Sequence, residues 1–389
     1  MINLSTLPPL SLYVHLPWCV QKCPYCDFNS HEVKDRVPEQ DYVDCLLLDL
    51  EQELPQVWGR HISSIFIGGG TPSLFSAGAI EQLLGGIRAR IPLHPGLEIT
   101  LEANPGTVDA KHFAGYLAAG VNRLSIGIQS FDNEKLKSLG RIHDSAMAIQ
   151  AMQIAVATGF ENINLDLMFG LPHQDNQAML KDLQQAIALG PTHISHYQLT
   201  IEPNTLFYQQ PPALPDDDRI FQAQLQCRDL LASAGYAQYE VSAFAQAGKQ
   251  CRHNLNYWRF GDYIGIGAGA HGKISHATAG VRRYSKIRHP QEYLGRKAST
   301  DFIQTHSTLV AQDLSFEFML NALRLYETIP LSLFSERTGV ASHKIDSVLQ
   351  KADDLGWLHY DQDGISTTEN GKRFLNDVVE LFLPGNEND

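Results

Sequence analysis

The 389-residue sequence predicts an α/β protein, a partial (β/α)6 barrel of the TIM type followed by a smaller, mainly helical, winged-helix-like domain. Three observations lead there. Short apolar, β-branched runs alternate with helical patterns through the first 200 residues, a proline-rich break follows, and beyond residue 306 the pattern changes to short helices and a hairpin. The expected division is 1–240 for the barrel, 241–305 for a connecting segment and 306–389 for the C-terminal domain.

In order, the strand runs are LSLYVHL (10–16), SSIFIGG (63–69), LEITLEA (97–103), NRLSIGI (122–128), NINLDLMF (162–169) and THISHYQL (192–199). Helical patterns separate them at 41–54, 77–91, 109–119, 145–158 and 177–189, the alternation of parallel β-α units. In such a barrel, functional side chains gather at the C-terminal ends of the strands. PPALPDDD (211–218) reads as a break before a helix at 219–234. DYIGIGAGAHG (262–272) is either a packed turn or a segment that approaches the same cavity. Helical runs at 314–326, 331–338 and 342–355 precede a hairpin and a terminal helix, and PGNEND (384–389) reads as disordered.

Charge and cysteine usage narrow the classes of function. A net charge of −13 supplies no overall positive field to gather nucleic acid. Residues 330–389 carry five Lys and Arg against eleven Asp and Glu, so DNA binding by a winged helix is disfavoured there too; that domain covers the open barrel or binds a partner. With no basic n-region and no apolar stretch of ~18 residues, the sequence reads as cytoplasmic and without a transmembrane segment. Six cysteines are too few for a disulfide scaffold, so they are free, buried or bound to metal. Cys45 and Cys227 lie in apolar helical patterns and read as packing residues.

The other informative stretch is WCVQKCPYCDF (18–28), where Cys19, Cys23 and Cys26 follow C-x-x-x-C-x-x-C in a loop leaving the first strand. Structural zinc takes four protein ligands and no second pair is near; a redox C-x-x-C leaves Cys19 over. Three thiolates suit a 4Fe-4S cluster whose fourth iron stays open to a small molecule, with zinc and redox as the alternatives. The spacing, with Tyr25 before the last cysteine, resembles the radical S-adenosylmethionine (SAM) superfamily. The resemblance implies that the open iron binds the amino and carboxylate groups of SAM.

Other residues fall where a barrel site would lie. Gly68, Gly69 and Gly70 follow the second strand in GGGTPS, a tight turn or a close backbone approach to a ligand. This run resembles the superfamily's motif for the SAM amino group. Glu102, Gln129 and Asp166 sit at or near the ends of the next three strands, where polar groups facing a cavity bind ligand hydroxyls and charges, and Arg141 could pair with a carboxylate. Solvated strand ends and a surface arginine are the plain alternative.

GGGTP, LEANP, IQSF, GRIH and DLMFGLP together resemble the branch containing oxygen-independent coproporphyrinogen III dehydrogenase and its heme-chaperone relatives. The resemblance implies cluster ligation by Cys19, Cys23 and Cys26. It implies SAM contacts for Tyr13, Tyr25, Gly69, Gly70, Thr71, Glu102, Gln129, Arg141 and Asp166. Three departures favour the chaperone group over the enzyme: Phe28 replaces a further cysteine, only 12 residues precede Tyr13, and CRHNLNYW (251–258) resembles that group's heme-binding motif, H-N-x-x-Y-W. Imidazole is an axial ligand of heme iron, so His253 is the candidate, flanked by the flat faces of Tyr257 and Trp258; Cys251 is a second possible ligand. His15, His173, His196, His271 and His276 take no role beyond cavity lining. The implied partners are heme and an acceptor hemoprotein, with a respiratory protein as candidate, and a homodimer. The alternative function is the dehydrogenase itself, a radical oxidative decarboxylation.

Overall fold

The computed structural model describes residues 4–384; residues 385–389, nearly all of the expected disordered end, lie outside them. Six strands run parallel in chain order: β1 (Leu10–Leu16), β2 (Ile62–Gly69), β3 (Leu93–Ala103), β4 (Arg123–Gln129), β5 (Ile163–Phe169) and β6 (His193–Gln198). Helices α1 (Glu39–Glu53), α2 (Ala77–Arg88), α3 (Ala110–Ala119), α4 (Ser145–Thr158) and α5 (Asn176–Leu189) lie between them, and α6 (Asp217–Ser233) follows the last. Local chemistry brackets three of these helices alike. Asp109, Asp144 and Asp175 each accept the N–H three residues on, and Gly120, Gly159 and Gly190 end α3, α4 and α5 in the left-handed conformation that costs glycine least.

Side-chain alternation sorts each strand. In β1, Leu10, Leu12, Val14 and Leu16 join the main apolar core, whereas Tyr13 and His15 face a cavity.

Residues 241–305 were expected to connect two domains; the structure builds strands from them that extend the barrel sheet at both edges. β7 (Ala237–Glu240) and β8 (Ala243–Ala245) extend the β6 edge, α7 (Arg252–Trp258) crosses over, and β9 (Asp262–Ile266) pairs in parallel with the other edge of β1. β10 (His271–His276), β11 (Gly280–Lys286) and β12 (Ile303–Thr308) continue antiparallel. The result, among the described residues, is one twelve-stranded sheet in the order β12-β11-β10-β9-β1-β2-β3-β4-β5-β6-β8-β7. The physical reason is the unpaired first strand of an open barrel, whose backbone groups need a partner. The glycine-rich 262–272 segment is packed strand and turn: a Cβ on Gly265 would stand 1.8 Å from the His271 carbonyl oxygen.

Charges fasten this extension to the barrel. Lys286 on β11 lies 2.6 Å from Asp49 Oδ1 and 2.6 Å from Glu53 Oε1 of α1, with all three side chains buried. The second Asp49 oxygen accepts from Gly267 N–H (3.0 Å) and Tyr293 Oη (2.6 Å).

The C-terminal unit begins at Leu309 rather than 306, because β12 runs to Thr308; its exposed polar run, Gln304–Thr308, carries no apolar period to mark it as strand. Helices α8 (Ala311–Ala322), α9 (Leu331–Thr338) and α10 (Asp346–Asp354), the hairpin β13 (Leu358–Tyr360) and β14 (Ile365–Thr367), and α11 (Leu375–Glu380) surround a second core that includes Phe318, Phe334 and Leu349. Phe260 and Val281 of the larger domain belong to this core, and Arg259 meets Glu327 through two bonds (2.9 and 3.0 Å).

Replacing Lys286 with Met would leave two carboxylates buried without their cation. The expected loss of stability is about 3–5 kcal/mol. Urea unfolding of the full chain measures it, and a loss under about 1 kcal/mol would show that the cluster is not the fastening described.

Candidate functional site

The loop after β1 closes on itself before it reaches the barrel mouth. Trp18–Cys19 pairs in parallel with His31–Glu32, and Cys26 N–H bonds the Cys23 carbonyl at 3.1 Å. Pro24 rests on Gly140, whose positive φ (+67°) and missing Cβ make room: an added Cβ would stand 2.7 Å from Pro24 Cδ.

This brings Cys19, Cys23 and Cys26 to one wall of a cavity of about 290 Å³. All three are free thiols. Burial pushes the Cys19 and Cys26 thiols up, against hydrogen bonds from Thr71 to Cys19 and from Ser30 to Cys26. Arg141 Nη1 stands 3.8 Å from Cys23 Sγ, its Nη2 donates to the Gly127 carbonyl (2.7 Å), and its Nε is buried without a partner. Three unpaired thiols beside a guanidinium and open space are a donor set that fits an iron-sulfur cluster with one iron left for another ligand.

The same cavity is lined by Gly69, Gly70, Thr71, Glu102, Gln129 and Asp166, with Tyr25. The missing Cβ atoms at Gly69 and Gly70 let the turn after β2 pack on the end of β1: at Gly70 a Cβ would meet the Trp18 carbonyl oxygen at 2.5 Å. Gly69, at φ +122°, donates its N–H to Glu102 Oε2 (3.1 Å). Gln129 ends β4 at φ +70°, uncommon for a residue with a side chain, and its Oε1 accepts from Tyr197 Oη at 2.7 Å.

Among the described residues, neither carboxyl in this cavity has a cationic partner at bonding distance. Burial raises Glu102 to about 8, helped by the charge of Asp166. Asp166 is raised as well by burial, against hydrogen bonds from Asn164 (2.8 Å) and Ser125 (3.0 Å). Two desolvated carboxyls facing one space favour a positively charged, hydrogen-bonding ligand.

Eleven of the twelve residues expected at the cluster and SAM site therefore share this cavity. Tyr13 does not. Its ring faces an adjoining cavity of about 670 Å³, which shares Phe28, Gly69 and Glu102 with the first and also holds His15, Tyr257, Tyr263, His271 and Arg288. Phe28 stands at the junction with 63% of its surface exposed.

His253 lies apart from both cavities. It is 1% exposed; Nδ1 bonds Ser64 Oγ at 3.0 Å and Nε2 bonds Tyr257 Oη at 2.9 Å. Burial, with the nearby Arg123 charge, lowers it to about 3, so the imidazole is neutral. Both ring nitrogens are occupied, and iron cannot reach either in this arrangement. Cys251 is sealed likewise, its thiol 3.6 Å from Glu98 Oε1 and pushed up to about 12 by burial. Glu98 also accepts the N–H groups of Arg252 and His253 (3.2 Å each), anchoring the start of α7. Trp258 packs under Arg324, 4.5 Å from its ring centroid. His173 and His196 line separate grooves, and His276 lies outside the two cavities.

Sequence reasoning missed Ser125, Asn164 and Tyr197, which orient Asp166 and Gln129. The available signal was the period of two: Ser125 shares a strand face with Gln129, and Asn164 with Asp166.

Residues 13–186 match the Radical SAM superfamily, and 309–374 match the HemN C-terminal domain. The chain is 53% identical over 377 residues to the heme chaperone HemW of Escherichia coli K12, covering 97% of this chain and 99% of the relative. It is 51% identical to that of Haemophilus influenzae (97% and 98%) and 32% identical to that of Bacillus subtilis 168 (96% and 99%). The solved coproporphyrinogen III oxidase (HemN) of Escherichia coli, a radical SAM enzyme, shares the fold at a TM-score of 0.82 and 21% identity, over 97% of this chain and 91% of that one.

The raised Glu102 carries a sign that can be measured. Its value is higher folded (about 8) than its ordinary 4.5, so the folded state holds the extra proton and stability falls as pH rises between those values. Without ligand, Glu102→Gln should remove a drop on the order of a few kcal/mol between pH 5 and 8, less where cavity water screens the charge. Urea titrations at both pH values test this; an unchanged difference would refute the assignment.

Proposed function

The chain belongs to the radical SAM superfamily and to the family of the heme chaperone HemW, and from that membership we propose that it binds heme and passes it to an acceptor hemoprotein. Cys19, Cys23 and Cys26 hold a 4Fe-4S cluster in this reading, and SAM occupies the space between them and the β2–β5 strand ends. Gly69, Gly70 and Thr71 present backbone groups to its amino end. Glu102 and Asp166 offset its positive charges and accept from its ribose, Gln129 fixes its orientation, and Arg141 pairs with a carboxylate. When bound and reduced, such a cluster supplies the electron that cleaves the SAM sulfonium. Tyr25 and Ile142 close the apolar side of the space. Tyr13 contacts the same ligands only from the adjoining cavity. His253, the histidine of the heme-type motif, reaches iron only when the Tyr257 hydroxyl releases its Nε2.

The observation that supports the cofactor assignment is the convergence of three free thiols, two unneutralised carboxyls and Arg141 on one cavity. Phe28, in the place of the dehydrogenase's further cysteine, supports a chaperone over that enzyme. A respiratory acceptor and a homodimer complete the proposal.

Two measurements test it. Anaerobic reconstitution should leave Cys19→Ala, Cys23→Ala and Cys26→Ala each without the cluster's iron, sulfide and absorbance; an intact cluster in all three would overturn the ligand assignment. Wild type should bind heme saturably yet form no protoporphyrinogen from coproporphyrinogen III, SAM and a reductant. Conversion without heme binding would make the protein the dehydrogenase instead.

A further inference from the structure

The larger cavity offers what the heme-type motif lacks in this arrangement. His271 opens β10 with its imidazole exposed to the space, and among the described residues neither ring nitrogen has a hydrogen-bond partner. Arg288 stands on the same wall with an exposed guanidinium engaged in no ion pair among the described residues. Of the other charged and polar groups in the lining, Asp27 and Gln304 are exposed and also without a side-chain partner among the described residues, whereas Glu102 accepts the Gly69 N–H and Ser285 bonds Thr305. His15 bonds Tyr13 Oη (3.0 Å) through Nδ1 and the Asn29 carbonyl (2.9 Å) through Nε2, and the Tyr263 hydroxyl accepts from Arg283 (2.6 Å), which lies outside the lining. Tyr13, Tyr257, Tyr263 and Phe28 supply flat apolar faces, with Tyr257 and Tyr263 packed edge to face at 4.5 Å. At about 670 Å³ the space is more than twice that beside the thiols.

A wide, aromatic-walled space with one unpartnered imidazole and one unpartnered guanidinium has the chemistry of a site for a flat iron macrocycle bearing carboxylates. We infer that this cavity seats heme, with His271 as axial ligand and Arg288 paired to a propionate. The inference rests on the heme-binding reading above and names the site for it. Heme held there lies against Gly69 and Glu102, which also wall the thiol cavity, so one edge of the macrocycle meets the ligand of the neighbouring site. Tyr257 forms the wall between heme and the sealed His253.

The test is an anaerobic absorbance titration of the full, cluster-reconstituted chain with ferric heme, with electron paramagnetic resonance to read the axial ligand. His271→Ala should weaken binding at least about tenfold and lose the imidazole signature, and free imidazole should restore the signature. His276→Ala, at a histidine outside the two cavities, should keep it. Arg288→Ala should weaken heme several-fold, yet leave heme dimethyl ester, which has no free propionate, unaffected. An unchanged spectrum in His271→Ala, or loss of the imidazole signature in His253→Ala alone, overturns this site while heme binding stands. Wild type that takes up no heme saturably overturns the heme-chaperone reading itself.

Discussion

Everything near the site hangs on β1, which is hydrogen-bonded in parallel on both sides, to β2 and to β9. Parallel pairing aligns strand directions, so the ends of β2 to β6 and the loop leaving β1 arrive at one rim. From one seven-residue run the chain delivers Tyr13 and His15 to the larger cavity and the three thiols, a few positions later, to the smaller. The β9 edge matters as much, because it places the β10–β12 extension, and with it His271 and Arg288, on the same rim.

Electrostatics distinguishes the two cavities. The smaller sets carboxyls against thiols and a guanidinium, at the cost of desolvating Glu102 and Asp166. The larger combines four aromatic rings with the His271 imidazole and the Arg288 guanidinium, and Asp27 and Glu102 also line it. Phe28, Gly69 and Glu102 form their shared wall, and the Gly69 N–H to Glu102 bond joins the β2 turn to the β3 end. A change at Glu102 is therefore felt on both sides.

Much of this was legible in the residue order. The six parallel strands and five intervening helices emerge within a few residues of where periodicity puts them, since apolar alternation and Asp and Gly helix ends are local signals. The cysteine spacing, the glycine turn and the polar strand ends could be read for the same reason. Three things were hidden. β9 looks like a glycine-rich turn because its glycines answer to a neighbouring backbone, which no local pattern records. His253 reads as available because its sealing partner Ser64 stands 189 positions away. His271 reads as one histidine among sixteen, and only the fold sets it beside Arg288 and the tyrosines.

The pairing of β1 with β9 also sets a schedule for synthesis. Asn256, which fixes the approach to β9, donates to Ser11 of β1 across 245 positions. At typical rates of about 5–20 residues per second, β1 leaves the ribosome roughly 10–50 s before that edge can be covered. Over that interval an apolar strand with unpaired backbone groups lies next to three reactive thiols, a surface prone to aggregation and to oxidation. The nascent chain is thus most vulnerable early, and truncations that end before β9 should strand it in that state.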